Sequence, residues 1–231
     1  MPTPLYTTGT GGHLAQRFCL CDGDENLQQV CSRTVGGCSK DVGPVAARAA
    51  ASLREGRPHV EPGFVTGQEL HGLRVAAASL AGACGPRELP AAVLGILADI
   101  EALRRELARA TGRELRESAE MQLVRYEAGG AYRTHVDDHP SLRIGASGRT
   151  DIRRSLSILL YLTSPDWQPA ADGGALRVYH TRDAQQASPA ARIDVQALPG
   201  TLVVFDSRVP HEVLTTRRER TLIAGWLHEG R

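Results

Sequence analysis

The sequence has almost no lysine: Lys40 is the only one among 27 basic residues. Because Lys40 lies in a Gly- and Ser-rich stretch, a catalytic lysine or a Schiff base is a poor explanation of function. No apolar run reaches the roughly 18–20 residues that a membrane-spanning helix needs. The first residues, 1–12, also lack the basic and apolar segments of a secretory signal. We therefore expect a cytoplasmic protein that does not bind membranes.

Net charge and length narrow the class of protein further. The formal net charge is +1 over 231 residues, so no basic surface for nucleic acid is indicated. Hydrophobic residues make up 42% and charged residues 23%, which is ordinary for a globular protein with a core. The length fits either one large domain or a domain with a modest N-terminal extension, and it does not specify the oligomeric state.

Residues 1–58 have little periodicity, so we predict an irregular N-terminal extension of unknown function in which the Ala-rich run Val45–Leu53 can form a short helix. Four of the five cysteines lie here: Cys19, Cys21, Cys31 and Cys38. Their spacing matches neither paired C-x-x-C sites nor a Cys/His finger, which favours free thiols over a disulfide or a zinc site but leaves all three open. Cys84 is expected to be a small apolar residue near a helix end.

Two helices and then a series of strands are predicted along the rest of the chain. Thr66 and Glu69 form a capping box ahead of the first helix. The second helix starts at Pro90 and stops at Gly112. The predicted strands are Met121–Tyr126, Ser155–Leu162, Ala175–Tyr179, Thr201–Phe205 and Thr221–Leu227. This order predicts a mainly β fold, an antiparallel sandwich or barrel braced by two N-terminal helices.

Three residues can form a metal site. His135 and Asp137 lie two apart at the end of an extended segment, so both side chains can face one ion. His211 lies far downstream on another predicted strand. Two imidazoles and one carboxylate are the donor set of non-haem Fe(II) sites, which keep positions open for an oxo acid and dioxygen. Taken singly, each of these residues is better explained as an ordinary surface or core group.

Arg220 adds an anion site to this donor set. It opens the predicted strand Thr221–Leu227, where a guanidinium can form a two-pronged ion pair with the distal carboxylate of an oxo acid. The alternative is a solvated turn, since Arg220 ends the run Arg217-Arg218-Glu219-Arg220. The order and strand context of the four residues favour the metal and oxo-acid interpretation.

The segment Met121–Trp226 resembles the catalytic core of prolyl-hydroxylase-type Fe(II)- and 2-oxoglutarate-dependent dioxygenases, especially the oxygen-sensing prolyl hydroxylases and their bacterial relatives. Four ordered motifs carry the resemblance: Tyr126-Glu-Ala-Gly-Gly-Ala-Tyr132-Arg-Thr-His135-Val-Asp137, Leu160-Tyr161-Leu162 with Asp166-Trp167, Gly173-Gly174-Ala175-Leu176-Arg177, and Pro210-His211-Glu212-Val213 with Arg220 and Trp226. The resemblance implies a double-stranded β-helix core, which is a jelly-roll of the cupin type. It also implies that residues 59–231 form a dioxygenase domain that hydroxylates an unactivated C–H bond.

The resemblance also implies a role for each matching residue. His135, Asp137 and His211 would hold Fe(II), and Arg220 and Tyr161 would bind the distal carboxylate of 2-oxoglutarate. The other implied pocket residues are Tyr126, Leu159 and Trp226 for the cofactor and Leu176 and Val213 for the substrate. For the apolar members of this set, an ordinary place in the sheet core is an equally good explanation.

Two departures from the family concern the substrate. The oxygen-sensing enzymes have a mobile hairpin with an Arg-Asp…Trp segment ahead of the core helix, and this sequence has none. Conversely, the connection from Asp137 to Tyr161 is longer and carries Arg143, Arg149 and Arg153, which either bind an acidic group or are solvated. Two substrate classes follow: a prolyl residue in a peptide or protein, and a free amino acid or small natural-product intermediate.

Two other activities are disfavoured. A catalytically silent binding module on the same fold would have lost a metal ligand, whereas all three are present. Halogenases replace the carboxylate ligand with a small residue to make room for halide, whereas Asp137 retains the carboxylate.

Overall fold

The structure, a computed structural model, describes residues 15–26, 40–81, 88–138, 148, 150–180 and 192–231, and of residues 21–26 only the backbone. The strands are β1 (Ala15–Asn26), β2 (His59–Glu61), β3 (Leu115–Tyr126), β4 (Tyr132–His135), β5 (Ile152–Tyr161), β6 (Leu176–Tyr179), β7 (Arg192–Val195), β8 (Leu202–Asp206), β9 (His211–Val213) and β10 (Arg220–Gly230). The helices are α1 (Gly43–Arg54), α2 (Gly67–Ala81), α3 (Ala91–Thr111) and α4 (Pro169–Asp172). None of these helices combines the length and apolar character that a membrane span requires.

The strands form two antiparallel sheets that share a core. The larger sheet has the strand order β1-β3-β10-β5-β8-β2, and the smaller one has the order β4-β9-β6-β7. Residues from both sheets meet in one buried cluster, for example Leu222 from the larger sheet and Val178 from the smaller one. The mainly β architecture predicted from the strand pattern is therefore confirmed.

Alternation along the central strands assigns each side chain to one of two cores. On β5, Leu156, Ile158 and Leu160 belong to the cluster that the helices cover, whereas Leu159 and Tyr161 face the space between the sheets. This is the period of two that a strand imposes on its side chains. The inner face of the larger sheet is the wall on which the candidate site is built.

The three longer helices cover the outer face of the larger sheet. α3 follows Pro90 and ends at Gly112, as predicted, where a positive φ of 70° lets the backbone N–H donate to the carbonyl of Ala108. The fully or almost fully buried stripe of α3 is Val93, Leu97, Ile100, Leu103 and Leu107. This stripe packs into the same cluster as the outer-facing leucines of β5, so helix and sheet bury one continuous apolar core.

The single lysine, Lys40, forms ion pairs with acidic residues on two helices. The Lys40 ammonium lies 3.0 Å from the carboxylate of Asp99 on α3, and it also pairs with Glu69 on α2. Asp99 is 2% exposed, and a carboxylate buried that far is costly unless a positive charge compensates it. Lys40 therefore connects the two helices by neutralising a buried acid.

Both predicted N-terminal helices are present as α2 and α3, and the Ala-rich run forms α1, as its composition indicated. The prediction that residues 1–58 are otherwise irregular needs correction, because β1 also lies in this segment. β1 pairs along β3, from Ala15 opposite Tyr126 to Asn26 opposite Ser118. Its sequence signal is weak because an edge strand that ends in Asp-Gly-Asp-Glu-Asn has little apolar alternation.

Most of the cysteine side chains lie outside the part of the chain that the structure describes. Cys19 is exposed on β1. The residues Cys31, Cys38 and Cys84 and the side chain of Cys21 lie outside the described part of the chain. The choice among thiols, disulfide and zinc therefore stays a prediction.

Candidate active site

Strand pairing brings the two predicted histidines together. β4 and β9 are antiparallel neighbours, and His135 lies directly opposite His211 in their register. The two imidazole rings are 4.2 Å apart between centroids. Asp137 follows β4, and its two carboxylate oxygens lie 3.4 Å from Nε2 of His135 and 3.4 Å from Nε2 of His211. One donor atom from each residue therefore lies within 4.8 Å of the others.

Both histidines are oriented by a hydrogen bond to the backbone carbonyl two residues before them. Nδ1 of His135 lies 2.9 Å from the carbonyl of Arg133, and Nδ1 of His211 lies 3.0 Å from the carbonyl of Val209. A carbonyl can only accept a hydrogen bond, so each Nδ1 must carry the proton and donate it. Each Nε2 then presents its lone pair to the common centre, which is the tautomer that a metal ligand needs.

Asp137 is held as a carboxylate by its surroundings. Burial alone would raise its pKa, but the nearby His211 and His135 and the Ser157 hydroxyl, which donates to the carboxylate at 2.6 Å, hold the pKa well below its usual range. Ser207 anchors the same segment, because its carbonyl accepts a hydrogen bond from the backbone N–H of Asp137 at 2.9 Å. The charged form of the ligand is therefore prepared in advance.

Aromatic rings close the sides of the histidine pair. Phe205 packs edge-on against His211 with centroids 4.8 Å apart, and Tyr132 packs edge-on against His135 at 4.4 Å. His211 is almost fully buried, and this burial lowers the pKa of its imidazole despite the opposite effect of Asp137. A neutral imidazole beside a charged carboxylate is the protonation pattern of a divalent metal site.

Arg220 is a buried cation with an unused hydrogen-bond donor. It is 1% exposed, its Nη1 donates to the carbonyl of Gly174 at 2.7 Å, and its Nε has no hydrogen-bond partner. Its guanidinium carbon lies 4.7 Å from the centroid of the Tyr126 ring. Gly174 has a φ of +70°, and a Cβ there would lie 3.1 Å from Cδ of Arg220, so glycine is required for this close approach.

Two further polar atoms beside Arg220 are also buried without partners. The hydroxyl of Tyr161 and the hydroxyl of Thr201 both have no hydrogen-bond partner in the described chain. The two residues are neighbours across β5 and β8, since the Tyr161 backbone N–H donates to the Thr201 carbonyl at 3.0 Å. Tyr161 also lies opposite Leu222, two residues along β10 from Arg220. Burial raises the pKa of the Tyr161 hydroxyl, and the charge of Arg220 partly opposes this, so the group stays a neutral donor.

Three unpartnered donors in one buried place indicate a missing anionic ligand. Buried polar groups are almost always hydrogen-bonded in folded proteins, and leaving one unpaired costs about 1–3 kcal/mol. Two hydroxyls and a guanidinium N–H match the oxygens of a carboxylate. The residues present therefore fit an oxo acid that reaches from the histidine pair to Arg220.

The other predicted pocket residues are placed as follows. Leu176 belongs to the cluster between the sheets, and Leu159 and Val213 pack against it partly buried. Trp226 is buried beside the guanidinium of Arg154, whose carbon is 3.7 Å from a Trp226 ring centroid.

Of the three arginines predicted to contact substrate, Arg153 alone lies in the described part of the chain. The guanidinium of Arg153 is bound by Glu229 at 2.7 Å and lies 3.7 Å from Asp138. Arg143 and Arg149 lie outside the described residues. The neighbouring Arg154 faces Trp226 instead, which a β-bulge in the β5–β10 pairing makes possible.

Sequence reasoning missed several residues of the site. Ser157 could have been found, because it lies two and four residues before Leu159 and Tyr161 on the same strand face. Thr201 could have been found only with the pairing of β5 and β8 in hand. Arg17 on β1 packs its guanidinium carbon 5.1 Å from the ring centroid of Tyr132, and no sequence signal pointed to it.

The sequence of this part of the chain matches a known family. Residues 121–228, which include every residue of the histidine and Arg220 sites, match the profile of the 2OG-Fe(II) oxygenase superfamily. A PKHD-type hydroxylase of Phenylobacterium zucineum (strain HLK1) is 35% identical over 104 residues, which are 45% of this chain and 40% of that protein. The chain thus spans less than half the length of this curated relative.

Solved structures share the fold. A prolyl-4-hydroxylase of Pseudomonas putida superimposes with a TM-score of 0.63 at 28% identity, over 80% of this chain and 94% of that one. A prolyl hydroxylase of Trichoplax adhaerens, in complex with a peptide fragment of the hypoxia inducible factor oxygen degradation domain, gives a TM-score of 0.64 at 16% identity, over 90% and 95% of the two chains.

Proposed function

We propose that residues 121–228 form an iron(II)- and 2-oxoglutarate-dependent dioxygenase domain of the prolyl-hydroxylase type, and that the chain hydroxylates an unactivated C–H bond of a prolyl residue in a peptide or protein. The observation that carries the proposal is the pair of complementary subsites. Two histidines with preset Nε2 lone pairs and one carboxylate converge at one end, and unpartnered buried donors surround Arg220 at the other.

The proposal assigns a role to each residue of these subsites. His135, Asp137 and His211 would hold iron(II), and this donor set would leave room for the oxo acid and dioxygen. Arg220 and Tyr161 bind the distal carboxylate of 2-oxoglutarate, and the Thr201 hydroxyl adds a third donor. The cofactor is further enclosed by Tyr126, Leu159 and Trp226, and the substrate by Leu176 and Val213.

The cofactors supply the oxidising chemistry, and the chain supplies geometry. When bound, iron(II), dioxygen and 2-oxoglutarate provide the oxidation: the oxo acid becomes succinate and carbon dioxide, and one oxygen atom enters the C–H bond. Ser157 keeps Asp137 charged and fixed, while the backbone carbonyls of residues 133 and 209 keep the imidazoles in the ligating tautomer. Phe205 and Tyr132 exclude water from the sides of the metal position. No acid–base residue is required.

The assignment of a prolyl substrate is based on similarity to known proteins, and one alternative substrate class competes with it. The similarity to the prolyl-4-hydroxylase of Pseudomonas putida supports a prolyl residue as the target. A free amino acid or a small natural-product intermediate is the alternative. The observation that favours it is a positive charge at the site, on Arg17, for which a peptide backbone offers no counter-charge.

The domain division stays a prediction. All proposed metal and oxo-acid ligands fall within 59–231, which supports a dioxygenase domain of that extent. β1 and α1 lie before this boundary but pack into the same fold.

Succinate formation and product mass test the proposal. Purified protein is incubated with iron(II), 2-oxoglutarate and dioxygen against proline-containing peptides and free amino acids. We expect succinate and a peptide product heavier by one oxygen atom, and His211→Ala should abolish both. Hydroxylated amino acids without any peptide product would replace the prolyl-peptide assignment by the alternative. Full succinate formation by His211→Ala would remove His211 from the metal site.

A further inference from the structure

β1 places a charged side chain on the inner wall of the site. Ala15 packs against the core between the sheets, and Phe18 packs against the core under the helices. Because side chains alternate along a strand, Arg17 lies on the same face of β1 as Ala15 and points into the space between the sheets. Its guanidinium carbon is 5.1 Å from the ring centroid of Tyr132, and that ring packs edge-on against His135 at 4.4 Å. A single aromatic ring therefore separates Arg17 from a proposed iron ligand.

A second observation supports this placement. Burial raises the pKa of the Tyr126 hydroxyl, and the positive charges of both Arg220 and Arg17 act against that rise. The guanidinium of Arg17 therefore lies near the Tyr126 hydroxyl as well as near the Tyr132 ring. It lies at the site and not on an outer surface of β1.

Arg17 has no acidic partner among the described residues, and in this it differs from Arg153 and Arg154. Arg154 is bound by both oxygens of Glu120, at 2.6 and 2.9 Å. Arg153 is bound by Glu229 at 2.7 Å. Only the aromatic contact with Tyr132 is formed by the Arg17 guanidinium within the described ranges.

The sum of charges at the loaded site indicates what Arg17 can bind. Iron(II) brings two positive charges and 2-oxoglutarate two negative ones. Asp137 contributes one negative charge and Arg220 one positive charge, so the loaded site is neutral without Arg17. Arg17 then leaves one net positive charge beside the metal position. In a partly buried site of low dielectric, such a charge attracts an anionic group strongly.

We infer that Arg17 binds a carboxylate of the substrate. The inference rests on the proposed function and narrows it: the compound to be hydroxylated is an acid. The contact with the Tyr132 ring holds the guanidinium beside the histidine pair and leaves its N–H groups for the two carboxylate oxygens. The carboxylate belongs to a free amino acid, to the C-terminus of a peptide, or to an acidic residue beside the target.

Anaerobic binding measurements test this without turnover. The full chain is loaded with iron(II) and 2-oxoglutarate, and the visible absorption of that complex is followed during titration. The probes are L-proline and L-prolinamide, an acetylated Ala-Pro-Ala peptide as acid and as amide, and the amidated peptides acetyl-Ala-Pro-Asp and acetyl-Ala-Pro-Asn. The variants are Arg17→Met, Arg17→Lys and, as a matched control on the larger sheet, Arg116→Met, whose side chain is 43% exposed.

The expected result is a preference for acids that depends on Arg17. Loss of a hydrogen-bonded charge pair weakens binding roughly 10- to 100-fold, so the best acid should bind the wild-type protein that much more tightly than its amide. Arg17→Met should abolish the difference, Arg17→Lys should keep part of it, and Arg116→Met should keep all of it. Which acid binds best identifies the source of the carboxylate.

Three outcomes would overturn the inference. They are equal binding of acids and amides by the wild-type complex, no binding of any acid, and an Arg17→Met variant that loses affinity for 2-oxoglutarate instead of for acids. Each is distinct from failure of the proposed function, in which the wild-type protein forms no absorbing complex with iron(II) and 2-oxoglutarate. That absorption also shows that each variant is folded.

Discussion

Removing the hydroxyl of Tyr161 should stabilise the protein and weaken its binding of 2-oxoglutarate at the same time. Tyr161 is 0% exposed, and its hydroxyl has no partner in the described chain. A buried polar group without a partner costs about 1–3 kcal/mol. Tyr161→Phe keeps the ring and removes this cost. We therefore expect the free energy of unfolding of the ligand-free protein to rise by about 1 kcal/mol, or about 2–4 °C in Tm.

The same substitution removes a donor to the bound carboxylate. A hydrogen bond to a charged group contributes about 1.5–3 kcal/mol, so the affinity for 2-oxoglutarate should fall roughly 10- to 100-fold. The assay is thermal unfolding with and without 2-oxoglutarate, together with the dependence of succinate formation on its concentration. The rise in Tm that 2-oxoglutarate causes should shrink in the variant, although the ligand-free Tm is higher.

Tyr179→Phe is the matched control, for which we expect a change in Tm of the opposite sign. The Tyr179 hydroxyl donates to Glu212 at 2.6 Å, so its removal should lower the Tm and leave the 2-oxoglutarate requirement unchanged. A Tyr161→Phe variant that is less stable than the wild type, with an unchanged requirement for 2-oxoglutarate, would refute the assignment of the unpartnered donors to a ligand pocket.

Three further predictions follow from the site and its surroundings. Arg220→Met should raise the 2-oxoglutarate requirement about 100-fold while calorimetric iron(II) affinity stays the same; an unchanged requirement would return Arg220 to a structural role. Ser157→Ala should weaken iron(II) or Zn(II) binding about 10- to 100-fold in calorimetry, because Asp137 loses the hydrogen bond that orients it. Burial would raise the pKa of Asp206, but hydrogen bonds from Arg208 and Arg113 hold it well below its usual range. The stability that these bonds provide is present above about pH 4 and is lost as the pH falls further, so Asp206→Asn should flatten the dependence of Tm on pH below that value.

The metal site was predictable because each ligand sits in a strong local pattern. His135 and Asp137 share a face through the period of two, and His211 begins a short strand after a Pro. The structure adds the register that sets His135 opposite His211. No local rule gives that register, because it depends on which strands pair in the smaller sheet.

The parts that were missed depend on partners distant in sequence. β1 is polar and irregular as a sequence, and it becomes a strand only because β3 offers a free edge. Thr201 joins the anion pocket only through the pairing of β5 with β8. Arg153 and Arg154 lie on opposite faces of β5 because side chains alternate along a strand, but the face that each one takes depends on the bulge in the β5–β10 pairing.

The pairings that build the site also set the order in which it can form. β4 joins β9, β3 joins β10, and β1 joins β3, so every subsite combines segments that are far apart in the chain. Such non-local contacts form late and make folding slow. An incomplete chain that lacks β9 and β10 has neither His211 nor Arg220 and so cannot assemble either subsite. Iron should therefore be captured only after β9 has paired with β4, which keeps a reactive metal away from the unfolded polypeptide during synthesis.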